Sequence, residues 1–123
     1  MRGIEMIKYL DEIREIIINE LVYLGYDLSL FGTRYLLEGL YIIINKDLID
    51  SINLKSEIYP IIAKKYNTTE NNIKCSINYA NTIMYWHCSK SKVESYFKVF
   101  DNTRPSTKKI LYSIISDVEK KIA

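Results

Sequence analysis

Apolar residues early in the chain recur at three- and four-residue steps: Ile4, Ile7, Leu10, Ile13 (or Arg14), Ile17 and Leu21. That spacing marks one face of an amphipathic helix, ending near Leu24-Gly25, where glycine suits a C-terminal cap. After the connection GYDLSLFG, Thr33 is placed to cap a second helix from Arg34 to about Asn45. Its apolar positions are Leu36, Leu37, Leu40, Ile43 and Ile44. The stretch KDLIDSIN reads as a short helical turn. A third helix covers roughly Ser56 to Tyr66, with Pro60 near its start, where a missing N–H costs little. YNTT breaks the pattern. Thr68 or Thr69 can cap the next helix, and Glu70 suits its positive end. That fourth helix runs to about Trp86 or His87. SKSKVESYFKVF makes a shorter helix, DNTRPSTKK a loop, and the chain from Pro105 a last helix with Ile110, Leu111, Ile114, Ile115 and Val118 inward. YIII has strand propensity but lies inside helical spacing. The pattern predicts an all-α fold of about six helices, and the pair at about 56–87 has the spacing that a helix-turn-helix in a compact bundle could use.

Composition agrees. A chain of 123 residues suits one domain, 1–123, and four glycines with two prolines are few breaks for its length. The net charge of +2 hides a division. Residues 1–53 hold five Lys/Arg against nine Asp/Glu, a balance of −4, and residues 54–123 hold twelve against six, a balance of +6. A basic C-terminal half points to a polyanion-facing side. Cys75 and Cys88 are thirteen residues apart on or near one helix, hence on opposite faces, which disfavours a disulfide. One histidine and two cysteines make no structural zinc set, so no metal and no cofactor are expected. Charges interrupt every apolar stretch of the first twenty residues, and no run approaches a membrane span. A cytoplasmic protein with no membrane partner is expected.

The fourth helix carries the chemistry. Ile73, Ile77, Ala80 and Met84 fall within about 60° of arc on an ideal helix. Opposite them lie Asn71, Cys75, Asn78 and Thr82, flanked by Asn72, Lys74 and Tyr79. A reading helix needs this division, with one face buried on the bundle and the other free for the major groove.

The run Ile58-Tyr59-Pro60-Ile61-Ile62-Ala63-Lys64-Lys65-Tyr66-Asn67-Thr68-Thr69 resembles LYPxxAKKxNTT, a pattern of the C-terminal effector domain of the stage-zero sporulation protein A family. The likeness extends to Leu24-Gly25, to Gly32-Thr33-Arg34-Tyr35-Leu36, to Trp86 and to Arg104-Pro105, covering roughly residues 10–123. It implies a helix-turn-helix domain that binds double-stranded promoter DNA as a transcription regulator, the effector part of a sporulation response regulator. Homodimer or tandem binding on DNA stays open. In that family the effector follows a phosphoacceptor receiver. Here the effector pattern uses the whole length, and Met1 with nine unrelated residues leads us to expect an orphan effector without a receiver.

The family's reading helix runs RVERAIRHA. The aligned residues are Asn72, Ile73, Lys74, Cys75, Ser76, Ile77, Asn78, Tyr79 and Ala80. Buried positions are kept, while three arginines become Asn72, Cys75 and Asn78. Arginine pairs with guanine O6 and N7, and asparagine with adenine N6 and N7. Altered, A/T-leaning base specificity is therefore expected, with Asn71, Asn72 or Asn78 reading A·T pairs, Lys74 reaching a guanine or a phosphate, and Cys75 and Tyr79 completing the base-reading set. Lys64, Lys65, Thr68 and Thr69, with Lys90, Lys92 and Lys98, are candidate phosphate contacts. The alternative is an interaction module that pairs with or antagonises a full-length regulator through Tyr79, Tyr85, Tyr96, Phe97 and Phe100. No phosphate loop or nucleophile elbow is present, so neither an enzyme nor a small-molecule substrate is expected.

Overall fold

Helix ends in this chain are set by side chains and by neighbours rather than by propensity alone. The computed structural model describes residues 3–46, 53–101 and 103–122, with side chains from Lys8 onward. Among these residues there are six α-helices and no strand: α1 Gly3–Leu24, α2 Phe31–Lys46, α3 Tyr59–Lys65, α4 Glu70–His87, α5 Lys90–Phe97 and α6 Thr107–Ile122. The all-α expectation holds. The short turn expected in KDLIDSIN, and the inward side chains of Ile4 and Ile7, lie outside the described residues.

One apolar cluster joins all six helices. Ile17, Leu21 and Leu24 of α1 meet Leu36, Leu40 and Ile43 of α2, Ile62 of α3, Ile73, Ala80 and Met84 of α4, Phe97 of α5, and Ile110, Ile114 and Val118 of α6. Leu37 and Ile44 flank this cluster half-buried, at its margin. α2 packs most extensively on α4, and α1 braces both α2 and α6. The α1–α6 contact also carries charge. Glu20 is buried, accepts a 2.6 Å hydrogen bond from the Tyr96 hydroxyl, and pairs with Lys121.

Two helix starts differ from expectation. α2 begins at Phe31, so Thr33 is not its cap; it is buried in the first turn and its hydroxyl has no hydrogen-bond partner in the protein. Packing explains the earlier start. A Cβ on Gly32 would stand on the Ser76 carbonyl oxygen and 2.9 Å from the Ala80 Cβ, so the first turn of α2 lies directly against α4. Before α3, residues Leu54–Ile58 form a wider π-turn in which the Tyr59 N–H donates to the Leu54 carbonyl. Pro60 has no N–H to bond the Ser56 carbonyl, and the i→i+5 bond just before it widens this turn instead. Asn53 caps the turn by accepting from the Ser56 N–H at 3.2 Å.

Candidate nucleic-acid interface

The junction between α3 and α4 is tight because each helix end is capped locally. Asn67 adopts φ 51°, the left-handed conformation that asparagine tolerates better than most residues. The Tyr66 N–H makes the last helical bond, to the Ile62 carbonyl at 3.0 Å, and the reversal at Asn67 lets the Thr68 N–H reach the Ala63 carbonyl at 2.9 Å, closing α3. Thr69 then caps α4, its hydroxyl oxygen accepting from the Asn72 N–H at 3.0 Å. The Asn72 side chain turns back and donates to the Thr68 hydroxyl at 2.9 Å. Residues 66–69 thus join the two helices directly.

α4 is divided as its spacing predicts. Ile73, Ile77, Ala80 and Met84 are buried, together with Asn81, while Asn71, Asn72, Lys74, Cys75, Asn78 and Tyr79 are exposed. Two neighbours frame the exposed face. On one side Asn71 and Lys74 line a groove with Leu54, Lys55 and Tyr59. On the other, Cys75, Ser76 and Tyr79 line a shallow hollow with Leu30, Phe31 and Gly32. Phe31 is 64% exposed, and the Arg34 guanidinium stands over its ring at 5.7 Å. Phe31, Arg34 and Lys55 were not singled out in the sequence. Only the crossing of α2 on α4 brings Phe31 beside Cys75 and Tyr79, with Arg34 over its ring, and no spacing rule anticipates that crossing.

The candidate phosphate contacts are dispersed. Lys64 is exposed on α3, and Thr68 and Thr69 stand at the junction. Both hydroxyls accept capping bonds, which leaves each O–H proton for another acceptor. Lys65 has an internal partner: its Nζ lies 2.9 Å from Oε2 of Glu38, whose side chain is 10% exposed. Lys90 and Lys92 lie past the C-terminal end of α4, whose 18 residues span about 27 Å from the junction. Lys92 donates to the Tyr23 carbonyl at 3.1 Å and sits 4.1 Å from the centre of the Tyr23 ring. Lys98, in left-handed conformation, closes α5.

The aromatic residues considered as an interaction surface do not gather. Phe97 is wholly in the core, Tyr96 binds Glu20, and Tyr85 donates to the Pro105 carbonyl at 2.7 Å. Tyr79 and Phe100 are exposed on separate elements. Cys75 and Cys88 are both free, the first exposed and the second buried. No described helix is long and apolar enough to cross a membrane.

A tight junction between two helices, the second holding a polar face outward, is an arrangement that helix-turn-helix DNA-binding domains use. The chain belongs to the family described as "Sporulation initiation factor Spo0A C terminal", whose model matches residues 17–122. This is a family of DNA-binding rather than enzymatic domains, associated with transcription regulation in sporulation.

Proposed function

We propose that residues 1–123 form one effector-type domain that binds double-stranded promoter DNA sequence-specifically, α3 and α4 acting as the helix-turn-helix and α4 as the major-groove helix. The observation that carries this reading is the partition of α4: Ile73, Ile77, Ala80 and Met84 are buried, while Asn71, Lys74, Cys75, Asn78 and Tyr79 face solvent. With asparagine or cysteine at 72, 75 and 78, the bidentate arginine–guanine contacts available to arginines at these positions are lost. Asn71 is the asparagine best suited to adenine, because Asn72 is engaged with Thr68 and Thr69 in capping. The hollow bordered by Phe31, Cys75 and Tyr79 suits a thymine methyl group. Both features favour A·T pairs.

Lys64, Thr68 and Thr69 flank the junction as phosphate contacts, with Lys55 and Arg34 at the two margins of the reading face. Lys65 serves Glu38 first. Lys90 and Lys92 lie far enough along α4 to meet DNA only beyond the groove the helix enters.

A gel-shift series with random and selected duplexes tests the proposal. Binding should fall steeply between about 50 and about 300 mM salt, because neutralised phosphates release counterions. Lys64→Ala should weaken every duplex alike, and Asn71→Ala should weaken A·T-bearing sites selectively. Absence of any shift at micromolar protein in low salt would reject DNA binding in favour of a protein-interaction role.

A further inference from the structure

Three hydrogen bonds connect the core to the exposed edge of α4. The Tyr26 hydroxyl donates to Oδ1 of Asn81 at 2.6 Å, and both residues are buried. Nδ2 of Asn81 donates to the Thr107 hydroxyl oxygen at 3.2 Å. The Thr107 hydroxyl in turn donates to Oδ1 of Asn78 at 3.5 Å. Thr107 opens α6, outside the two helices that form the reading unit.

The polarity of this chain is set from its buried end. The Tyr26 phenol, which burial with Tyr85 and Cys88 alongside raises well above its usual range, donates to the Asn81 carbonyl end. With its carbonyl end accepting from Tyr26, Asn81 faces Thr107 with its NH2 end, which can only donate. A threonine hydroxyl has one proton. With its oxygen accepting from Asn81, that proton points outward to Asn78.

We propose that Thr107 is a positioning residue that fixes the orientation of the Asn78 amide, so that α4 offers N–H donors at this step. The favoured partner is then an acceptor-only base edge, guanine O6/N7 or thymine O4. Adenine, with its paired donor and acceptor, would have to share the amide oxygen with Thr107, whereas an acceptor-only edge uses the two free N–H donors alone. This inference rests on the DNA-reading function proposed above, and it assigns a specificity role to a residue beyond the helix-turn-helix.

The test is a panel of duplexes in which each base pair of a selected site is varied, measured for four variants beside the native protein. Asn78→Ala identifies the step by erasing preference there. The native protein should prefer guanine or thymine over adenine at that step by about tenfold. Thr107→Val keeps the shape, removes the donor, and should reduce that preference to about twofold while leaving the salt dependence unchanged. Thr107→Ser should retain the preference. Tyr26→Phe, cutting the chain at its buried end, should relax the same step and supplies a second reading if Thr107→Val does not fold. Native preference for adenine, or an unaltered preference in either folded variant, overturns the inference while leaving DNA binding intact. A native protein that shifts no duplex overturns the DNA-reading function and this inference with it.

Discussion

Glu38 of α2 holds its carboxylate 2.9 Å from Nζ of Lys65 and 3.3 Å from Nη1 of Arg14, joining the third helix to the first two through one shielded charge. Arg14 is fixed in turn over the Tyr41 ring at 4.5 Å. Removing Lys65 leaves Glu38 with one cation and partial shielding. Lys65 is itself 54% exposed, so the loss is that of a partly screened pair. Lys65→Ala should cost about 1 kcal/mol in urea unfolding, whereas Lys64→Ala should leave stability within about 0.5 kcal/mol. Glu38→Ala should cost more than Lys65→Ala, because it removes both ion pairs and leaves a small void. Equal stabilities for the two lysine variants would show that Lys65 is not held by Glu38.

The contact of Gly32 with α4 makes a sharper prediction. Its missing Cβ is what lets the α2 backbone lie on the Ser76 carbonyl. Alanine is ordinarily the better helix former, by about 1 kcal/mol. Here Gly32→Ala should instead destabilise by about 1–3 kcal/mol, because backbone must move to admit the methyl group. The displaced backbone belongs to α4 between Cys75 and Tyr79, so base selectivity should weaken along with stability. A Gly32→Ala protein as stable as the native one, measured by thermal unfolding, would mean that the two helices pack less closely there.

Most of the bundle was legible because helical periodicity reports burial directly. The stripes Ile13, Ile17, Leu21 and Ile110, Leu111, Ile114, Ile115, Val118 are buried as their spacing implies. So is the stripe of α4, and with it the exposed set Asn71, Lys74, Cys75 and Asn78. Features that depend on contacts between helices were not legible. Thr33 looks like a cap in sequence, but packing of Gly32 on α4 draws it into the first turn. Asn78 reads as a free amide on a polar face, yet α6 brings Thr107 against it. Lys65 reads as a solvent lysine beside Lys64, and only the position of α2 supplies Glu38. Each miss is a polar or small residue whose partner lies more than twenty positions away.

At the α3–α4 junction, Asn67 carries a backbone conformation that β-branched residues avoid. Asn67→Gly should keep the junction and leave stability nearly unchanged, since glycine reaches positive φ without steric cost. Asn67→Val should cost about 1–2 kcal/mol. It should also loosen the start of α4, where Thr68 and Thr69 meet Asn72. Amide hydrogen exchange at Asn72 and Ile73 would register that loosening. Unchanged exchange in Asn67→Val would show that the caps hold the junction without help from the residue before them.

Four tyrosines, Tyr26, Tyr59, Tyr85 and Tyr96, tie stability to alkaline pH, Tyr59 through burial alone. Burial lifts the Tyr85 phenol to about 12 even though Arg104 beside it pulls the other way. Burial also raises Tyr26, and burial followed by the hydrogen bond to Glu20 raises Tyr96. An unfolded tyrosine ionises near pH 10. Below about pH 10 these phenols are neutral in both states, and their full contribution to folding is present. As pH rises further, the unfolded chain loses protons that the folded one retains, so stability falls through the interval up to the folded values. Urea midpoints should therefore begin to decline above about pH 8.5, where the buried Cys88 thiol holds its proton and an unfolded one does not, and fall steeply above about pH 10. Phenolate absorbance of the folded protein should rise in two phases, the exposed tyrosines first and these four later. Tyr85→Phe loses the bond to the Pro105 carbonyl and should be less stable at neutral pH, yet its decline above pH 10 should be shallower. An alkaline slope identical to that of the native protein would show that Tyr85 is not kept neutral by the fold.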